Sequence, residues 1–228
     1  PAMGVNAKNL LSSESVGVAT ESYQPRAIEK ARYIGKVYLA MTLLCMSLLM
    51  WIGGFHWFDA MCHAFTSIAT GGYSTKASIK SFDSLGGEAV LIVFMFLSGA
   101  SLAVIATHLR TGVRCLSKLV QSAEFRIYTA SSVLLISILT VALMRSGIDF
   151  GSALRQAMFN GVSVITSTGY ATADFQAWPA TATIVMFGAM FVGGCSGSTA
   201  GGFKQVRLLV ILRLIGYTLR QFVRPKSV

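Results

Sequence analysis

From Val37 to Phe58 the chain runs 22 positions without a formal charge, between Lys36 and Asp59. Roughly 20 helical residues cross about 30 Å of hydrocarbon, so this run predicts a spanning helix. Trp51 and Trp57 fall where interfacial anchors belong. Comparable runs follow at Ala89–Thr107 (19 residues) and Ile127–Met144 (18 residues), and 29 uncharged residues separate Asp174 from Lys204. Two stretches are amphipathic and too short to cross, Asp59–Ala69 and Ser152–Thr166. Each leads into a small polar loop, Thr70-Gly71-Gly72-Tyr73-Ser74-Thr75 and Ser167-Thr168-Gly169-Tyr170-Ala171-Thr172. A shift of 97 positions superposes Ala60 on Ala157, Met61 on Met158, Ile68 on Ile165, Gly72 on Gly169, Tyr73 on Tyr170 and Thr75 on Thr172. The chain therefore contains an internal repeat, each unit reading as span, short helix, loop, span. A short helix and polar loop between two spans predicts a re-entrant hairpin, since non-helical backbone at membrane depth needs protein or a water-filled cavity around it.

The expected fold class is thus an all-α polytopic membrane protein of tandem units with re-entrant short helices. A polar segment and linker cover 1–33, with Pro25 opening a short basic helix. The first unit covers 34–110, a basic linker 111–126 and the second unit 127–224. Within the second unit, Gly193-Gly194-Cys195-Ser196-Gly197-Ser198-Thr199-Ala200-Gly201-Gly202 holds five glycines. Each glycine weakens a helix by about 1 kcal/mol relative to alanine, so a break is expected at 193–202. Two readings of it stay open. Three hydroxyls suit a non-helical segment facing a cavity, whereas Gly193, Gly197 and Gly201 at intervals of four suit tight helix packing.

Composition agrees with a membrane protein: 54% of the 228 residues are hydrophobic and 12% charged, with mean hydropathy +0.63, against about 25% charged in soluble domains. The net charge of +10 first suggests nucleic acid, but its distribution argues otherwise. Fifteen of the 19 Lys and Arg fall on segments that share one side. The positive-inside rule places that side, with both ends of this segment, in the cytoplasm and both glycine loops outside. Four cysteines at 45, 62, 115 and 195 show no disulfide or metal spacing. His56, His63 and His108 share no metal-site spacing, and nothing pairs a nucleophile with a base, so the chain is not expected to be an enzyme. Pro1–Val5 reads as the tail of something upstream, and no signal peptide is visible.

A cation leaving water needs a substitute hydration shell, which backbone carbonyls supply where several loops converge on a narrow path. Gly72 and Gly169 permit the positive φ that turns a carbonyl inward; Thr70, Gly71, Ser167 and Thr168 keep the backbone close to an ion. Tyr73 and Tyr170 are expected to brace each loop against its own short helix. An interfacial turn with an aromatic anchor is the plain alternative, and the duplication favours a filter. Asp59 and Gln156 start the short helices, with Asp59 favouring or capping an N-terminus. His63 is a packing residue. Lys204 and Arg207, just past the break, either shape the inner field, holding the segment through its carbonyls, or anchor the positive side.

Phe58-Asp59-Ala60 with the first loop, Thr166 with the second, and the decapeptide at 193–202 together resemble the Trk/Ktr/HKT superfamily of potassium transporters, most closely its bacterial TrkH/TrkG membrane subunits. The resemblance spans nearly the whole chain. It implies four M1–P–M2 repeats around one pore, of which these are the second and third, with Pro1–Gly4 ending the first. The polypeptide would then be about twice this length. It also implies K+ as the transported ion, Gly193–Gly202 as an intramembrane gate, a homodimer in the bacterial cytoplasmic membrane, and a cytoplasmic nucleotide-binding regulatory partner of the TrkA type. A cation-coupled carrier with broken helices and a non-conducting assembly subunit are the rival readings. K+ against Na+ preference is not legible from these two loops.

Overall fold

The computed structural model describes residues 25–102, 105 and 122–223. The polar segment before Pro25, the linker as far as residue 121 and the residues after Val223 lie outside them. Seven helices carry the described chain: α1 Pro25–Trp51, α2 Trp57–Ile68, α3 Leu85–Gly99, α4 Ala123–Arg145, α5 Phe150–Ile165, α6 Ala180–Ala189 and α7 Gln205–Val223. Short 3-10 turns lie at Ile79–Phe82 and Phe175–Ala177. Among the described residues an isolated bridge, Val192 to Phe203, is the extent of β pairing.

Ala31–Trp51 and Ala123–Arg145 are long and apolar enough to cross a membrane. Their apolar residues face both ways. Val37, Cys45 and Leu49 are buried on α1 while Leu39, Leu43 and Leu44 are exposed, and on α4 Leu135, Leu139 and Leu143 are buried while Val133, Leu134 and Val141 are exposed. Exposed apolar faces of this extent mark contact with lipid or another protein surface. The short helices are placed differently. Ala60, Ala64 and Ile68 of α2 are fully buried, as are Ala153, Ala157 and Phe159 of α5. Alanine at i and i+4 gives each short helix a low ridge along which neighbours approach closely.

One apolar cluster joins Cys45 and Leu49 of α1, Ala60 and Ala64 of α2 and Leu91 and Met95 of α3 to Phe159 and Val162 of α5. A second joins Tyr128 and Leu139 of α4 to Ala157 and Ile165 of α5 and Met186 of α6. Helix α5 touches α3, α4 and α6, so it ties the two halves together. Tight crossings need glycine: a Cβ on Gly53 would sit 3.1 Å from the Gly87 Cα, where the end of α1 meets the start of α3.

Several expectations change. Pro25 opens one continuous helix through Trp51 rather than a short basic helix before a span. The short helices start two residues early, at Trp57 and Phe150. Of the two roles expected of Asp59, capping belongs to His56 instead, while its place in the first turn of α2 favours that N-terminus, and it accepts from Thr75 Oγ1 at 2.6 Å. The cap of α5 is Asp149, accepting from the Gly151 amide at 3.0 Å. The expected span over Ala89–Thr107 is interrupted after Gly99, with Ala100 extended and helix again at Leu102 and Ile105, the rest of it lying outside the described residues. The reason is tertiary: the Gly99 carbonyl accepts from the Cys195 amide at 2.8 Å.

Glu88, in the first turn of α3, forms a two-pronged ion pair with Arg155 of α5 at 2.7 and 2.8 Å. The Glu88 side chain is 5% exposed and the Arg155 side chain 44%. Removing the arginine leaves a buried carboxylate without its partner. Arg155→Met is therefore expected to destabilise by about 2 kcal/mol, below the value for a fully buried pair because Arg155 is half in solvent. Glu88→Gln added to it should recover part of the loss. Denaturant unfolding in detergent measures both; an unchanged midpoint for Arg155→Met contradicts this role.

Candidate functional site

Helices α2 and α5 end alike. After Ile68 and Ile165 each chain reverses φ at alternate residues, with Thr70 at +51° and Gly72 at +67°, then Ser167 at +56° and Gly169 at +86°. A positive φ is a genuine outlier for a β-branched residue such as Thr70, and such strain gathers where function over-determines the backbone. The loops are held by their amides. Gly71 N donates to Thr66 O at 2.7 Å and Thr168 N to Ser163 O at 2.9 Å, 97 positions on. Side chains repeat the pattern: Thr66 Oγ1 reaches Tyr73 O at 2.9 Å and Ser163 Oγ donates to Tyr170 O at 2.7 Å. The carbonyls of Thr70, Gly71, Gly72, Ser167, Thr168 and Gly169 accept no hydrogen bond from any described residue. Six oxygens on two adjoining loops are thus free to take a ligand. Among the described residues no three His, Cys, Asp or Glu side chains gather as a metal site.

The loops lie against each other. A Cβ on Gly72 would fall 1.8 Å from Thr168 O. The tyrosines differ from expectation. Tyr170 is 3% exposed and braces the other unit's short helix: its hydroxyl meets Thr66 Oγ1 and its ring lies 5.7 Å from that of His63. Tyr73 is 78% exposed and does not pack on α2. The reason is direction: a side chain leaving the loop at Tyr170 points across the seam between units, where α2 fills the space.

Beyond each tyrosine the chain is pinned by a polar residue of the short helix. His63 is buried, with Nδ1 2.7 Å from Asp59 O and Nε2 3.0 Å from Ser74 Oγ. Its counterpart Asn160 donates to Thr172 Oγ1 at 3.0 Å and accepts from Thr172 N at 3.1 Å. Thr66, Ser163 and Asn160 were not singled out from the sequence. The shift of 97 positions, extended to the hydroxyl and amide residues of the short helices, is the signal that finds them.

Behind the first loop lies the glycine-rich segment. Helix α6 ends at Ala189, and α7 resumes at Gln205. Gly193, Gly197 and Gly201 are not helical, so spacing by four produces no packing face. Instead the segment folds back on itself, with Gly193 N donating to Phe203 O at 3.0 Å and Phe203 N to Phe191 O at 3.0 Å. A Cβ on Gly193 would lie 2.1 Å from Gly201 O, and one on Gly194 2.6 Å from Gly99 O. Thr199 Oγ1 donates to Ile68 O at 2.9 Å, and Thr70 Oγ1 donates to Thr199 O at 2.9 Å. The segment is therefore tied to the Thr70 end of the first loop, not the Tyr73 end. Ser196 N donates to Glu124 at the start of α4, and Ser198 Oγ donates to Cys195 O at 2.6 Å. Lys204 Nζ donates to the Ala200 carbonyl, and Gln205 Nε2 reaches Gly193 O at 2.9 Å. Arg207 stands over the Phe203 ring at 5.8 Å.

A family profile described as TrkH, cation transport protein, matches residues 37–228. The chain is 35% identical over 231 residues to the Trk system potassium uptake protein TrkH of Halomonas elongata, with all of this chain and 47% of that protein covered. It is 33% identical over 233 residues to the protein of the same name from Escherichia coli K12, again over 47% of its length. The crystal structure of the potassium transporter TrkH from Vibrio parahaemolyticus superposes with a TM-score of 0.84 at 30% identity, over 96% of this chain and 47% of that one. The chain spans about half the length of the curated relatives it matches.

Proposed function

Since the chain belongs to the TrkH family of cation transport proteins, which are transporters and not enzymes, we propose that it lines part of a potassium pathway across the bacterial cytoplasmic membrane. Each half is an M1–P–M2 unit, at 34–110 and 127–224, with α2 and α5 as re-entrant short helices. The carbonyls of Thr70–Tyr73 and Ser167–Tyr170 replace water around K+. The observation that carries this reading is the pair of loops with reversed φ at matched positions, whose carbonyls at 70–72 and 167–169 accept no hydrogen bond from the described residues. Gly193–Gly202 acts as the gate, a reading supported by its hydrogen bonds to Ile68 and Thr70 where the first loop begins. Lys204 keeps the gate folded through Ala200, and Arg207 contributes positive charge to the inner mouth. Both ends of the segment face the cytoplasm. A homodimer and a cytoplasmic regulatory subunit of the TrkA type complete the assembly.

The interrupted helices, ending at Gly99 and Ala189, support a second reading in which the break at 193–202 binds the ion in a cation-coupled carrier. Flux through the protein purified from its native membrane separates them. Ohmic single-channel currents carried by K+ are the expected result; saturable flux with fixed coupling to a second ion favours the carrier. Absence of any K+ flux overturns both.

A further inference from the structure

Thr66 Oγ1 stands at a junction. It lies 2.9 Å from Cys62 O and 2.9 Å from Tyr73 O, and it meets the Tyr170 hydroxyl. Tyr170 thus belongs by sequence to the second loop but spends its hydroxyl on a residue that holds the first.

We propose that the Tyr170 hydroxyl, acting through Thr66, positions the Tyr73 carbonyl, so that the second loop sets the geometry of the first. The inference rests on the filter reading above. A threonine hydroxyl has one proton to give and lone pairs to receive with. When Tyr170 donates to Thr66 Oγ1, the threonine proton is left for a carbonyl, Cys62 O on its own helix or Tyr73 O on the loop. Donation into a hydroxyl polarises it and strengthens the bond it makes onward. Two backbone acceptors near the tyrosine oxygen are more distant, His63 O at 3.4 Å and Tyr73 O at 3.5 Å, and the Ser67 hydroxyl also lies near it. Burial of the ring against His63 fixes where the hydroxyl points.

The second unit has the matching half of the device. Ser163, at the position equivalent to Thr66, donates to Tyr170 O at 2.7 Å. One chain of bonds thus runs from Ser163 to the Tyr170 backbone, along the Tyr170 side chain, and through Thr66 to the Tyr73 backbone. Two carbonyls that end the two loops are held in register across the seam between units. Tyr170 and Thr66 are positioning residues in this scheme, and neither needs to touch the ion through its side chain.

The K+ to Na+ permeability ratio of the intact protein in liposomes tests it, a quantity that a merely structural role leaves alone. Tyr170→Phe and Thr66→Val are each expected to lower the ratio about three- to tenfold, the range set by one net hydrogen bond. The double variant should be no worse than the more affected single, since both remove the same link. Thr66→Ser should keep the original ratio, as serine does this work at position 163. Gly169→Ala separates this proposal from the filter reading. If it lowers the ratio while Tyr170→Phe and Thr66→Val do not, the link is refuted and the filter stands. If none of the three moves the ratio, both fall. Additive losses in the double variant also overturn the link.

Discussion

Gly72→Val is expected to abolish potassium-selective uptake while the protein still reaches the membrane. Two independent costs meet at this position. The backbone has φ +67°, which valine tolerates poorly, and a Cβ would fall 1.8 Å from Thr168 O. A β-branched residue at such a φ costs of order 1–3 kcal/mol, and overpacking adds about 1–3 kcal/mol. The clash falls on a carbonyl proposed to ligate the ion, so relief by movement spoils the site itself. About 3 kcal/mol of mispositioning corresponds to roughly a hundredfold loss. Growth on limiting potassium of cells that depend on this protein, with its amount followed by blot, gives the answer. Selective uptake at the original level would show that the loop is only a turn between helices.

The second large effect has the opposite sign. Gly193→Ala is expected to raise K+ flux through folded protein. The new methyl would lie 2.1 Å from Gly201 O, both groups on backbone that must approach for the segment to fold back. Freed of that closure, the segment no longer holds Thr199 against Ile68 and Thr70. Two hydrogen bonds at about 1 kcal/mol each would set the preference for the proposed blocking position, and their loss is expected to raise passage about tenfold or more. Tracer uptake normalised to the amount of folded protein is the measurement. Loss of flux in well-folded protein instead would make the segment a binding site, as the carrier reading requires.

The helical class was legible because uncharged runs of about 20 residues leave few alternatives to spanning helices. The two glycine loops were legible because they repeat. The break in α3 was not: no formal charge interrupts Ala89 to Thr107, while the turn at Ala100 depends on an amide of Cys195, far along the chain. The same holds for Glu88 and Arg155, which read as separate charges until α3 and α5 pack. Tyr170 was assigned to its own short helix because a local pattern carries no information about which neighbour lies across a seam. Thr66, Ser163 and Asn160 passed as the polar face of amphipathic helices, since a hydroxyl or amide that holds a loop looks, in sequence, like one that faces solvent.

In the proposed pathway the backbone of Thr70–Tyr73 and Ser167–Tyr170 ligates the ion. Anomalous diffraction from crystals grown in rubidium in place of potassium tests it most directly. An anomalous peak is expected beside the loops, within coordinating reach of the Gly72, Thr168 and neighbouring carbonyls. Peaks confined to the glycine-rich segment at 193–202, with none beside the two loops, would contradict it.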